Sequence, residues 1–158
     1  MKSSNKKQIY LVGAAKSGTT SIANNIGNNS QVTFNPKFKE PSFHAREKLR
    51  ALNMECPMVQ KSKFLLDEQD YYDLNHVDNS TYFIDASTCY LWYFNEVIDS
   101  INRFSSHSSD VYVIIVLRNP YERMYSQYLQ MRMNGVEELG FIDALNAENE
   151  RIVDGRHP

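Results

Sequence analysis

The stretch IYLVGAAKSGTTS, residues 9–21, joins an apolar run to a polar, glycine-bearing loop. Ile9 to Gly13 reads as a short buried strand, and Ile22, Ala23 and Ile26 beyond it recur at helical spacing. The segment therefore predicts a strand, a loop and a helix. A loop in that position lies at the carboxyl end of its strand, where the next helix presents unpaired N–H groups and a partial positive charge. Gly13 and Gly18 let the backbone bend closely around an anion, Lys16 adds a mobile cation, and Ser17, Thr19, Thr20 and Ser21 add hydroxyl donors. The Walker A spacing is not met, because it needs its lysine after the second glycine, whereas Lys16 comes two residues before Gly18. Taken alone, the segment is either a different phosphate loop or a turn whose lysine points to water.

The same alternation continues downstream. Val32 to Phe34 predicts a second short strand, and Asn35 to Ser42, with two prolines and three charges, predicts loop. A charged helix is expected over Phe43 to Leu52 and another over Glu68 to Asn75. Tyr82 to Asp85 predicts a strand, and Phe94, Val97, Ile98, Ile101 and Phe104 predict an amphipathic helix. Val111 to Leu117 is apolar on both parities, as a central parallel strand covered on both faces would be. Asn119 and Pro120 supply a cap and a first-turn proline for a helix whose apolar stripe is Tyr121, Met124, Tyr125, Tyr128 and Leu129. A last helix is expected over Phe141 to Val153. The order predicts one α/β domain over residues 1–158, with a mainly parallel sheet flanked by helices.

The segment VLRNPYERMYSQY, residues 116–128, repeats the strand, loop and helix arrangement with different anion-binding groups. Arg118 falls at the carboxyl end of the strand, and its guanidinium can pair with a phosphate through two hydrogen bonds. Ser126 shares a helix flank with Asn119 and Arg123, away from the apolar stripe. Singly, Arg118 could pair with a carboxylate and Ser126 could be a solvated serine. Two anion sites at two strand ends of one sheet point instead to one ligand with two anionic groups.

Composition narrows the partners. With 158 residues, 42% hydrophobic content and a formal net charge of -2, the chain can bury a core but carries no global basic field, which argues against nucleic acid. Cys56 and Cys89 have no metal-ligand spacing and read as reduced thiols. Met1 to Gln8 is polar, and no apolar run is long enough for a signal peptide or a membrane span, so a cytoplasmic protein is expected. Nothing in the sequence indicates an oligomeric state.

GAAKSGTTS and RNPYERMYSQY together resemble the two donor-binding segments of the sulfotransferases that use 3'-phosphoadenosine 5'-phosphosulfate (PAPS), in particular the heparan-sulfate-type enzymes and related bacterial ones. KEPSF, residues 39–43, is similar to a segment whose glutamate serves these enzymes as the base, here Glu40. IDASTCYLW, residues 84–92, resembles a further block near the acceptor. The four blocks run in the family's order from residue 9 to about 130. The resemblance implies a P-loop-like α/β fold in which Lys16, Ser17, Gly18, Thr19, Thr20 and Ser21 hold the 5'-phosphosulfate. It further implies that Arg118 and Ser126 hold the 3'-phosphate, that Lys16 and Glu40 are catalytic, and that no metal is needed. The products would be 3'-phosphoadenosine 5'-phosphate (PAP) and a sulfated hydroxyl or amine, with a carbohydrate as the expected acceptor.

Two departures accompany it. Some relatives carry a lysine where this chain has Ala86, and the family's domains are longer, which makes this chain resemble their N-terminal portion. A non-catalytic fragment that binds PAPS or PAP, and a P-loop nucleotide kinase, are the competing readings. For the acceptor, Lys37, Lys39, Arg46, Lys48 and Arg50 outnumber Glu40 and Glu47, which would suit an anionic sugar polymer or simply a solvated face. Ser62 to Phe64 and the aromatics Tyr90, Trp92, Tyr93 and Phe94 could line a cleft, with at least two of the four rings expected in the core.

Overall fold

A computed structural model describes residues 6–51, 67–104 and 110–153; Cys56 and Ser62 to Phe64 lie outside them. Four parallel strands form one sheet in the order β2-β3-β1-β4: β1 Lys7–Gly13, β2 Val32–Thr33, β3 Tyr82–Asp85 and β4 Val111–Ile115. The helices are α1 Thr19–Gly27, α2 Arg46–Ala51, α3 Glu68–Asn75, α4 Phe94–Phe104, α5 Pro120–Met133, α6 Phe141–Asn146 and α7 Glu148–Val153. Among the described residues no helix is long and apolar enough to cross a membrane. The fold is the α/β class expected from the alternating sequence.

Strand alternation builds the core on both faces of β1. Tyr10 and Val12 pack with Ala45, Leu49, Tyr90, Tyr93, Val97 and Ile101, which brings α4 and the segment before it onto one face. Leu11 packs on the opposite face with Ile84, Ala86 and Ala23 of α1. Fully burying one such aliphatic side chain contributes roughly 1.5–3 kcal/mol. A third cluster joins Phe43, Tyr71, Phe83 and Phe104, where the Phe43 and Tyr71 rings stack at 4.1 Å between centroids. Tyr90 and Tyr93 are buried while Trp92 and Phe94 are exposed, which meets the expectation of two core rings among the four.

Three expectations need correction. β4 is not central: among the described residues it pairs with β1 alone, and Tyr112, Val113 and Ile115 are exposed. Apolar residues on both parities show that both faces could be covered, not that they are. The α5 stripe is similarly open, with Tyr121, Tyr125 and Leu129 exposed. Finally, a turn at Ala147 divides the last helical segment into α6 and α7, and the helix expected from Phe43 begins as a 3-10 turn, Phe43–Ala45, before α2.

Candidate functional site

The site forms where β1 and β4 end. β1 carries a bulge between Leu11 and Gly13, after which Ala14 N–H donates to Val116 O at 2.8 Å and Val116 N–H to Gly13 O at 2.7 Å. Gly13 has φ 146°, and an added Cβ would meet Leu91 Cβ at 3.2 Å and Thr88 O at 3.3 Å. A side chain there would push the loop off the 3-10 turn Thr88–Leu91. Lys16 (φ 64°) and Gly18 (φ 86°) are both left-handed, a conformation that costs a non-glycine residue about 1–2 kcal/mol. Alternation of hand in a short loop aims successive N–H groups to one side, as anion-binding nests do.

Two observations show that this loop suits an anion. The Ser17 hydroxyl is buried and has no hydrogen-bond partner among the described residues. Gly18 is the N-cap of α1 and offers its first turn no side-chain cap. A buried orphan hydroxyl beside an uncapped helix N-terminus fits the oxygens of a phosphate or sulfate ester. Thr19 is buried in that first turn, whereas Thr20 and Ser21 are exposed.

Arg118 joins the second segment to the first. Its Nη1–H donates to Lys16 O at 3.3 Å, and its Nε–H donates to Glu122 at 3.1 Å. The Glu122 pair is an exposed i,i+4 ion pair, worth well under about 1 kcal/mol, so a phosphate can displace it. The N-terminus of α5 is already capped by Asn119, which accepts from Tyr121 N–H at 3.0 Å. Arg118, rather than the capped α5 N-terminus, is therefore the group here better placed to take an anion. Lys16 Nζ donates to Gln130 Oε1 at 3.1 Å. Ser126 is half-buried and four residues before Gln130, so both lie on the same face of α5.

Glu40 sits at the other side of the loop. Its Oε1 accepts from Lys39 Nζ at 2.6 Å, and its Oε2 accepts from Thr88 Oγ1 at 2.9 Å and Thr88 N–H at 3.3 Å. Lys39 also reaches Thr19 Oγ1 at 3.4 Å. Glu40 is thus linked to the first turn of α1, though no hydrogen bond joins it to Lys16 among the described residues. The family model of the sulfotransferase domain matches residues 6–153. The chain belongs to the sulfotransferase domain family. No curated protein and no solved structure matches it. Members of this family are transferases that move a sulfuryl group to an acceptor.

In this sulfotransferase domain a buried carboxylate organises the turn that holds Thr88. Asp85, at the end of β3, accepts from Ser87 N–H at 3.1 Å, Ser87 Oγ at 2.6 Å, Tyr90 OH at 2.7 Å and Tyr71 OH at 3.0 Å. Ser87 Oγ in turn accepts from Ser42 N–H at 2.8 Å, which ties the Glu40 segment to the turn that holds Thr88. Ala86 is buried, and its N–H donates to Lys39 O at 3.1 Å. Burial pushes the Asp85 carboxyl up to about 6 against the lowering effect of its four donors. Cys89 lies beside this cluster as a neutral thiol, its pKa raised to about 12 by burial.

His44 is buried between Tyr10 OH and Ser100 Oγ, each at 3.0 Å, and burial, with the nearby Arg46 charge, holds its pKa down to about 3. Asp85 and His44 make opposite contributions to stability. The folded chain holds the Asp85 proton more tightly than the unfolded chain, so this contribution is lost as pH rises through about 6. The folded chain keeps His44 neutral, so its contribution is lost as pH falls from the ordinary imidazole range toward about 3. Between roughly pH 4 and 6 the two cancel, each changing by about 1.4 kcal/mol per pH unit. His44→Gln is expected to make stability fall with rising pH relative to the unsubstituted chain, and Asp85→Asn to make it rise. Urea unfolding midpoints at several pH values between these limits measure both slopes, and parallel slopes for all three proteins would contradict the assignment.

The basic cluster near Glu40 is less available than its sequence suggests. Lys39 pairs with Glu40, Lys48 with Glu96 at 3.0 Å, and Arg46 lies over the Phe43 ring at 3.9 Å while donating to Phe43 O. Three residues of this region were not named singly by sequence reasoning: Gln130, and Asp85 and Thr88, which entered only as part of the segment 84–92. Gln130 extends the helical flank of Asn119, Arg123 and Ser126 by one turn, which is the signal that could have found it. The segment 84–92 marks the neighbourhood of Asp85 and Thr88, but their individual contacts are made across the fold.

Proposed function

We propose that this sulfotransferase domain takes PAPS as its donor and transfers the sulfuryl group to a hydroxyl or amine of a carbohydrate. The observation that carries the reading is the meeting of two anion-binding segments, in which Arg118 reaches the Lys16 carbonyl beside the unpartnered Ser17 hydroxyl. PAPS matches that pairing because it carries a phosphosulfate and a separate 3'-phosphate. The exposed rings of Trp92 and Phe94, just beyond the turn whose first residue holds Glu40, support a sugar as acceptor, since such faces stack on sugar rings.

The donor supplies a sulfuryl group bonded to a phosphate leaving group. Ser17 and the N–H groups of Ser17 to Thr20 bind the 5'-phosphate end, with Ser21 at the edge of that turn. Arg118 and Ser126 bind the 3'-phosphate. Lys16 faces the bridging oxygen and stabilises charge as the S–O bond to phosphate breaks. Glu40 takes the proton from the acceptor as the new O–S or N–S bond forms, leaving PAP and a sulfated product. Thr88 holds the Glu40 carboxylate in place for that step.

Binding of PAP tests the assignment of the 3'-phosphate. Arg118→Ala is expected to weaken PAP by on the order of 2 kcal/mol, about thirtyfold, through loss of a charge-assisted contact. Adenosine 5'-phosphate, which lacks the 3'-phosphate, is expected to bind both proteins alike. Calorimetry with the two nucleotides decides it: equal weakening of both, or preference for ATP with magnesium over PAP, would overturn the reading.

A further inference from the structure

We propose that Lys39 is a second cation of the transfer site, one that touches the sulfuryl oxygens of the donor. This inference rests on PAPS being the donor and adds a residue to its binding. The side chain of Lys39 is only 14% exposed, an unusual placement for a lysine on an otherwise polar loop. Its ammonium spans Thr19 Oγ1, in the first turn of α1, and Glu40 Oε1, so it occupies the gap between the anion loop and the carboxylate. Any group passing from the loop to an acceptor beside Glu40 must cross that gap.

The position is held from the backbone. Lys39 O accepts from the buried Ala86 N–H, and Lys39 follows the 3-10 turn Pro36–Phe38 directly. An ammonium has three donors, and only two have partners among the described residues. One of these, at 3.4 Å to Thr19, is long enough to yield to a better acceptor. Neutralising Glu40 is a weaker account of the same contacts. An ion pair between sequence neighbours, with Glu40 41% exposed, contributes little to stability. The cation can instead turn to another anion when the donor arrives. A sulfuryl group between Thr19 and Glu40 is such an anion.

Calorimetry with PAPS and with PAP separates the contact from its alternatives, because only PAPS carries the sulfuryl group. Lys39→Ala is expected to weaken PAPS about tenfold or more while PAP stays within about twofold, and the retained PAP binding shows that the variant is folded. Lys39→Arg, which keeps a cation, is expected to keep most of the PAPS affinity. In the double variant Lys39→Ala/Glu40→Gln the loss of PAPS affinity is expected to persist. Recovery in the double variant would overturn the proposal by showing that Lys39 only masks the Glu40 charge. Equal losses for both ligands, or no loss for either, would overturn it as well. Should the unsubstituted chain bind neither PAP nor PAPS, the donor assignment itself fails and takes this inference with it.

Discussion

Lys16→Ala is expected to lower the rate of sulfuryl transfer by about a hundred- to a thousandfold while weakening donor binding by only about tenfold. The asymmetry follows from where charge develops. In the ground state the negative charge of a phosphosulfate is spread over many oxygens, and the loop N–H groups and the Ser17 hydroxyl share it. As the bond to phosphate breaks, charge gathers on the bridging oxygen, and a cation placed there gains more than one placed elsewhere. Lys16 is suited to this because its ammonium is held by a neutral acceptor, Gln130 Oε1, and among the described residues no carboxylate pairs with it. Its left-handed backbone fixes the loop that carries it. The rate of PAP release with a desulfated glycosaminoglycan as acceptor, set beside calorimetric donor affinity, measures both quantities. Equal losses in rate and affinity would make Lys16 a binding residue only.

The two strand-loop-helix segments were legible in the sequence because each rests on local chemistry. An apolar run followed by glycine, lysine and hydroxyl residues fixes β1, its loop and α1 at once, and the parallel sheet then brings Arg118 to the Lys16 carbonyl. Position in the sheet was not legible for β4. Its pattern of Val111 to Ile115 says that both faces are apolar, while which strand stands beside it depends on the rest of the fold, and Val113 and Ile115 are exposed. The α5 stripe shows the same limit, since helical periodicity identifies a face but not what covers it. Lys39 shows a subtler limit. Its pairing with Glu40 could be foreseen from adjacency, but its burial and its reach to Thr19 come from the Ala86 N–H that holds its carbonyl. Asp85 reads in the sequence as the end of a strand, and only the fold gathers Tyr71, Ser87 and Tyr90 around it.

Glu40→Gln is expected to behave differently from Lys16→Ala: transfer falls by about a hundredfold or more while donor affinity stays within about threefold. The amide keeps the size of the carboxylate but cannot take a proton from the acceptor, so the loss appears only when the new bond forms. Both Glu40 oxygens accept hydrogen bonds, one from Lys39 and the other from Thr88. Glutamine has one acceptor oxygen and can keep only one of these, with Thr88 Oγ1 the less demanding partner because a hydroxyl can also accept from the amide. The side chain therefore stays near its place, its Oε1 still accepting from Lys39 and its amide donating to Thr88 Oγ1, and a neutral oxygen holds the ammonium less tightly than the carboxylate did, which leaves Lys39 freer to turn toward Thr19 and an anion beside it. Donor affinity is then expected to hold or to rise slightly, in the direction opposite to the rate. A Glu40→Gln protein with undiminished transfer would show that the acceptor loses its proton elsewhere. One that lost donor affinity as steeply as rate would place Glu40 among the groups that hold the loop rather than beside the acceptor.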